Sequence, residues 1–131
     1  MKAERNIVPL TYVALTGVVC VFHLALILGA PLGHLTMGGR WAGALPLEGR
    51  ITSAVSIVIL TGLAVVVLAR AGVVALRLPD WAIWAVVAYL AVGVALHVAT
   101  PSAAERALWL PQIAAMLACA VMVARRRRAD G

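Results

Sequence analysis

Residues 31–50, PLGHLTMGGRWAGALPLEGR, form the one long segment of this chain that cannot reside in the interior of a lipid bilayer. The segment contains five glycines and two prolines, a composition typical of tight turns rather than of a flexible spacer. On both sides of it the chain is almost continuously apolar. The segment therefore predicts an ordered polar loop between helices that lie in a membrane.

The composition of the whole chain also indicates a lipid environment. Of its 131 residues, 64% are hydrophobic and 12% are charged, and the mean hydropathy is +1.04. A soluble domain usually has about 25% charged residues, so this chain has too few of them to cover its surface in water. At this length we expect a single integral membrane domain comprising residues 1–131.

Four apolar runs are long enough to cross the hydrocarbon core of a bilayer, which is about 30 Å thick. These predicted spans are residues 7–30, 51–69, 81–99 and 103–124. Asp80 has the position of an N-cap for the third helix, and Ser102 and Glu105 have the spacing of a capping box for the fourth. The predicted fold is all-α, a transmembrane four-helix bundle with a long glycine-rich outer loop between helices 1 and 2.

The basic residues predict the orientation of the bundle, because cytoplasmic segments carry an excess of lysine and arginine. The side that holds both termini has eight of the eleven basic residues, namely Lys2, Arg5, Arg70, Arg77 and Arg125–Arg128. We therefore expect a multi-pass protein of the bacterial inner (plasma) membrane with both termini in the cytoplasm. The formal charge of +6 is concentrated at the membrane surface, so the expected partner is the lipid bilayer and not nucleic acid.

Polar residues inside the spans are uncharged and share helix faces. Thr16, Cys20 and His23 lie on one face of the first span, and Tyr89, Gly93 and His97 lie on one face of the third. Such groups commonly join helices by hydrogen bonds, and a glycine allows close approach. The cores of the spans contain no carboxylate of the kind that proton-coupled carriers use, which argues against an ion-driven transporter.

The outer side of the membrane is where the sequence predicts a site. The candidate ligand-binding residues are His23, His97, Ser56, Gln112, His34, Arg40 and Arg106. His23 and His97 are also the candidates for holding a haem iron or a transition metal, because two imidazoles across a bundle can do so. No nucleophile and base form an assignable pair, so no catalytic residue is predicted. Glu105 is assigned to a helix cap, and Trp109 to the membrane interface.

One group of residues carries a resemblance to a known family. These residues are 29–33, 38–39, 43, 45–46 and 50, followed by Glu105, Arg106, Trp109 and Pro111. With them, and over nearly its whole length, the chain resembles an uncharacterised family of small four-span bacterial integral membrane proteins. The resemblance implies a four-helix membrane fold, and it implies no activity, cofactor or partner.

Three functions are compatible with the sequence. A structural or accessory protein, binding other membrane proteins or a second copy of itself, is favoured and predicts no buried polar cavity. A binder or channel for a small molecule or lipid predicts a pocket of a few hundred cubic ångströms beneath the loop, gated by Arg40 or Arg106. A haem or metal protein using the histidines is the third alternative. Neither enzymatic activity nor a resident cofactor is expected.

Overall fold

The computed structural model of the chain describes residues 2–126, most of which belong to four long helices. These are α1 (Lys2–Ile27), α2 (Leu47–Ala71), α3 (Trp81–Ala99) and α4 (Ala103–Arg125). Each is long and apolar enough to cross a membrane, and no strand occurs within residues 2–126. The predicted all-α class, with four helices long and apolar enough to span a membrane, is thereby confirmed. Arg127 and Arg128 of the predicted basic run lie outside the described residues.

The helices are antiparallel, so the bundle has two distinct ends. The loop of residues 28–46 and the link between α3 and α4 lie at one end, which we term the loop end. Both ends of the described chain and the link of residues 72–80 lie at the other, the terminal end, where Arg126 Nη1 donates to the Arg5 carbonyl at 2.7 Å. α1 packs along α2 and α4, and α3 packs along α4, whereas α2 and α3 contact each other less.

The buried core fills the half of the bundle nearer the terminal end. It is formed by Tyr12, Val67, Ile83, Val86, Leu90, Met116, Ala120 and Val123. Gly93 lets α3 approach α4 closely, because a Cβ there would lie 2.5 Å from Ile113 Cδ1. The other half of the bundle, toward the loop end, contains the cavity described below.

Arg70 joins three elements at the terminal end. Its Nη1 pairs with Asp80 Oδ1 at 2.6 Å, and its Nη2 donates to the carbonyls of Ala124 and Arg126 at 3.2 and 3.1 Å. Asp80 occupies the predicted N-cap position before Trp81, but it has helical φ and ψ and its side chain makes no cap hydrogen bond. The Asp80 carboxylate instead forms a charge-assisted hydrogen bond with Arg70.

Candidate functional site

The loop between α1 and α2 is an ordered structure closed by its own main chain. The Gly33 N–H donates to the Gly43 carbonyl at 2.9 Å, and two short 3₁₀ turns, Gly33–Leu35 and Met37–Gly39, follow one another. A Cβ on Gly33 would overlap the carbonyl oxygens of Trp41 and Gly43. Glycine at this position therefore permits the close approach of two main-chain segments.

Three hydrogen bonds attach this loop to α4 and to the residue before it. Each joins a main-chain atom of the loop to a side chain: the His34 carbonyl to Ser102 Oγ (3.0 Å), the Leu35 carbonyl to Trp109 Nε1 (2.8 Å) and the Gly38 N–H to Glu105 Oε2 (2.8 Å). Together we term them the loop–α4 bonds. They hold the loop across the end of the bundle.

Of the two hydrogen bonds that define the predicted capping box, the structure contains the one to the Ser102 side chain. Ser102 Oγ accepts from the Glu105 N–H at 3.2 Å, as an N-cap does. The Glu105 carboxylate does not complete the box, because Oε2 accepts from the Gly38 N–H and from Thr100 Oγ1 at 3.2 Å. Glu105 is only 8% exposed, so its carboxylate belongs to the interior of the loop end.

A cavity of about 320 Å³ lies beneath the loop, at the lower end of the range for small-molecule sites. All four helices contribute to its wall. Its polar side chains are those of His23, Thr36, Ser56, Tyr89, His97, Glu105 and Gln112. Its apolar wall includes Phe22, Leu60, Leu90, Trp109, Ile113 and Met116. The composition is that of a binding pocket, largely apolar with a few convergent polar groups.

The structure brings four of the seven candidate residues to this one cavity: His23, His97, Ser56 and Gln112. The other three do not line it. His34 is exposed and contributes its carbonyl to the loop–α4 bonds. The guanidinium of Arg40 lies 5.0 Å from the centre of the Trp41 ring, and Arg106 Nη1 donates to the Thr100 carbonyl at 2.8 Å. The two arginines expected to gate the pocket are thus engaged elsewhere.

Two residues of the cavity wall were assigned other roles from the sequence. Trp109 is 9% exposed and its ring centroid lies 4.7 Å from that of Phe22, so its assignment to the membrane interface is wrong. Glu105 was assigned only to a helix cap. The signal that could have found both is their spacing with Gln112, since positions i, i+4 and i+7 share one face of a helix.

The two histidines of the cavity differ in their hydrogen bonds. His23 Nδ1 is fully buried and has no hydrogen-bond partner within residues 2–126. His97 Nδ1 lies 2.7 Å from the Gly93 carbonyl. Because a carbonyl oxygen only accepts hydrogen bonds, Nδ1 is the protonated nitrogen that donates in this bond. Residues 2–126 contain no group of three or more metal-ligating side chains. The haem or metal interpretation stays a prediction.

Exposed side chains on one flank of the bundle form part of the cavity wall. They belong to α3: Tyr89 is 45%, Val92 59% and Leu96 65% exposed. The helices α2 and α3 contact each other less than α1 contacts α2 or α3 contacts α4. The cavity therefore has a mouth on the α3 flank, within the length of a helix that is long and apolar enough to cross a membrane.

No protein-family model, curated protein or solved structure matches this chain. The resemblance to small four-span bacterial membrane proteins stays a prediction. The cavity and its residues therefore carry the functional argument.

Proposed function

We propose that the chain is a multi-pass protein of the bacterial inner membrane that binds a small molecule in the cavity beneath the loop. One observation carries the proposal: a largely apolar cavity in the half of the bundle nearer the loop end has convergent polar groups, and one of them, His23 Nδ1, is buried without a partner among the described residues. Leaving such a group unsatisfied costs about 1–3 kcal/mol. A ligand that bonds to it would recover that cost.

The cavity also favours ligand binding over a purely accessory role. A protein that only binds others through its helix faces has no need of a polar cavity, and close packing would remove it. Here Tyr89, Gly93 and His97, which share one face of α3, all line the cavity. Lipid is the proposed environment of the apolar outer surface, and contact with other membrane proteins or a second copy is compatible with it.

A cavity-filling substitution tests the binding proposal. Ser56 lines the cavity and its hydroxyl donates to the Thr52 carbonyl of its own helix, so Ser56→Phe should fill the cavity and leave the helix intact. We expect the amount of any molecule co-purifying in mild detergent to fall about tenfold or more, because the ring takes the space of the ligand. The measurement is mass spectrometry of an organic extract, normalised to protein.

Val58→Phe is the matched control, since Val58 is on the same helix, is 72% exposed and does not line the cavity. This variant should retain the co-purified molecule. Equal retention by Ser56→Phe and the unsubstituted protein would contradict the proposal.

The proposed orientation places both termini in the cytoplasm and the loop outside it, supported by the basic residues at the terminal end, Arg5, Arg70 and Arg77. In a chain whose two cysteines are replaced by alanine, Ala42→Cys should react with a membrane-impermeant maleimide in intact cells. Ala3→Cys should react only after permeabilisation. Both positions are exposed in the structure, so accessibility differs only by membrane side. The reverse pattern of labelling would show the opposite orientation.

A further inference from the structure

We propose that the molecule bound in the cavity is a cationic amphiphile, with a protonated amine held at Glu105 and an apolar body among the aromatic and aliphatic side chains. This inference rests on the proposed function, because it names the chemical class of the ligand for the same cavity. It follows from the charge of the cavity wall, from the hydrogen-bonding state of its polar atoms and from the position of its mouth.

The charge of the wall comes from Glu105, which is 8% exposed. Both of its hydrogen bonds go to Oε2, and Oε1 receives no donor within residues 2–126. The arginines of this end are directed elsewhere, Arg106 to the Thr100 carbonyl and Arg50 to the carbonyls of Leu45 and Ile27. A largely desolvated carboxylate without a counter-charge is stabilised by a cation brought next to it.

Three other polar side chains of the wall each use a donor within the protein. His97 Nδ1 bonds to the Gly93 carbonyl, Gln112 Nε2 to the Leu15 carbonyl at 2.8 Å, and Ser56 Oγ to the Thr52 carbonyl at 2.9 Å. Gln112 Oε1 and the lone pairs of Ser56 remain as acceptors, and His97 Nε2 accepts in the tautomer that is protonated at Nδ1. A head group that supplies donors fits such a wall, and an ammonium group has three donors and no acceptor.

The apolar part of the cavity wall and the position of the mouth indicate the chemistry of the rest of the ligand. Phe22 and Trp109 present aromatic rings to the cavity, and aromatic faces attract cations as well as alkyl groups. The loop–α4 bonds hold the loop over the end of the bundle, whereas the mouth is bordered by the exposed Val92 and Leu96. A ligand that reaches the cavity from the lipid layer needs an apolar body, so the amine is an amphiphile.

The test uses three probes that share one tail and differ in the head group: octylamine, octanol and octanoate. Trp109 lines the cavity, and replacing Trp41, Trp81 and Trp84 by phenylalanine leaves it as the one tryptophan. This protein, in vesicles of zwitterionic lipid, is titrated with each probe while Trp109 emission is recorded. The same protein carrying Ser56→Phe supplies the background from probe dissolved in lipid.

We expect octylamine to saturate the Trp109 signal at a concentration about tenfold or more below octanol and octanoate, because a desolvated charge pair forms with the amine alone. Glu105→Gln keeps an acceptor for the Gly38 N–H and removes the charge, so the preference for the amine over the alcohol should disappear. Thr100→Val removes the other bond to Oε2 and retains the charge, so the preference should remain. If Glu105→Gln does not fold, the three-probe comparison decides alone.

The outcomes separate this inference from the proposed function. If octanol or octanoate saturates at or below the concentration of octylamine, and Ser56→Phe abolishes the signal, the cavity binds molecules and the cationic class is wrong. A different outcome would contradict the binding function itself: no probe gives a saturable signal, and Ser56→Phe retains all co-purified material. In that case the proposed cationic class of the ligand is wrong as well. A preference for octylamine that survives Glu105→Gln would overturn the assignment of the amine to Glu105.

Discussion

Gly33→Ala should release the loop from the bundle, whereas Gly43→Ala should leave it attached. A Cβ on Gly33 would overlap the carbonyl oxygens of Trp41 and Gly43, and main-chain atoms cannot turn aside as the end of a side chain can. Forcing an extra carbon into a packed site costs about 1–3 kcal/mol. The hydrogen bond from the Gly33 N–H to the Gly43 carbonyl would be lost with the displacement.

Limited trypsin digestion in lipid nanodiscs measures this release, with the cut after Arg40 identified by mass spectrometry. Since each 1.4 kcal/mol changes a population about tenfold, cleavage should become about 5- to 100-fold faster in Gly33→Ala. A Cβ on Gly43 meets no atom within 4 Å, so Gly43→Ala is the matched control and should be cut at the unsubstituted rate. Rapid cleavage of the unsubstituted loop, or equal rates in both variants, would contradict an ordered loop fixed by Gly33.

Arg70→Met should destabilise the opposite end of the bundle by about 1.5–3 kcal/mol, the contribution of a hydrogen bond that involves a charged group. The variant keeps an apolar stem and removes the donors to the Ala124 and Arg126 carbonyls at the end of α4. A positive group at a helix C-terminus also interacts favourably with the helix dipole. Thermal unfolding in detergent, followed by helical circular dichroism, should show a lowered midpoint.

Two controls decide which contacts of Arg70 matter. Asp80 is 77% exposed, and an ion pair with such a group contributes about 0–1 kcal/mol, so Asp80→Asn should have a small effect. Arg77→Met removes an exposed arginine of the neighbouring link and should have little effect as well. If Asp80→Asn lowered the midpoint as much as Arg70→Met, the ion pair rather than the carbonyl bonds would be the stabilising contact.

The helices were predictable from the sequence because the length of an apolar run is a local property. Local reasoning also predicted the N-cap at Ser102, whose acceptor and donor are three residues apart. It placed Asp80 at the N-cap position of α3 but missed the partner of its side chain, Arg70, which lies ten residues earlier in α2. The apolar run marks the second span from residue 51, whereas α2 itself starts directly after Pro46 in the polar segment. Charges and helix ends are therefore predicted well where their partners are close in sequence.

The sequence predicted which residues of the site share a helix face, but it did not predict which of them form hydrogen bonds to the loop. The shared face of Tyr89, Gly93 and His97 follows from periodicity, and the structure places all three at the cavity. The carboxylate of Glu105 accepts from the N–H of Gly38, 67 residues earlier in the chain, and no local pattern indicates that pairing. Arg106 instead bonds to the Thr100 carbonyl, six residues earlier in the chain, and this local contact was not considered when Arg106 was expected to gate the pocket.

In the loop–α4 bonds, positions 34 and 35 of the loop contribute carbonyl groups, which every residue type possesses. Ser102, Glu105 and Trp109 contribute groups that few other amino acids could replace. The side chains at positions 34 and 35 therefore take no part in the hydrogen bonds that attach the loop to the bundle. The exposed side chain at position 34 can therefore vary without loss of the bonds that hold the loop above the cavity.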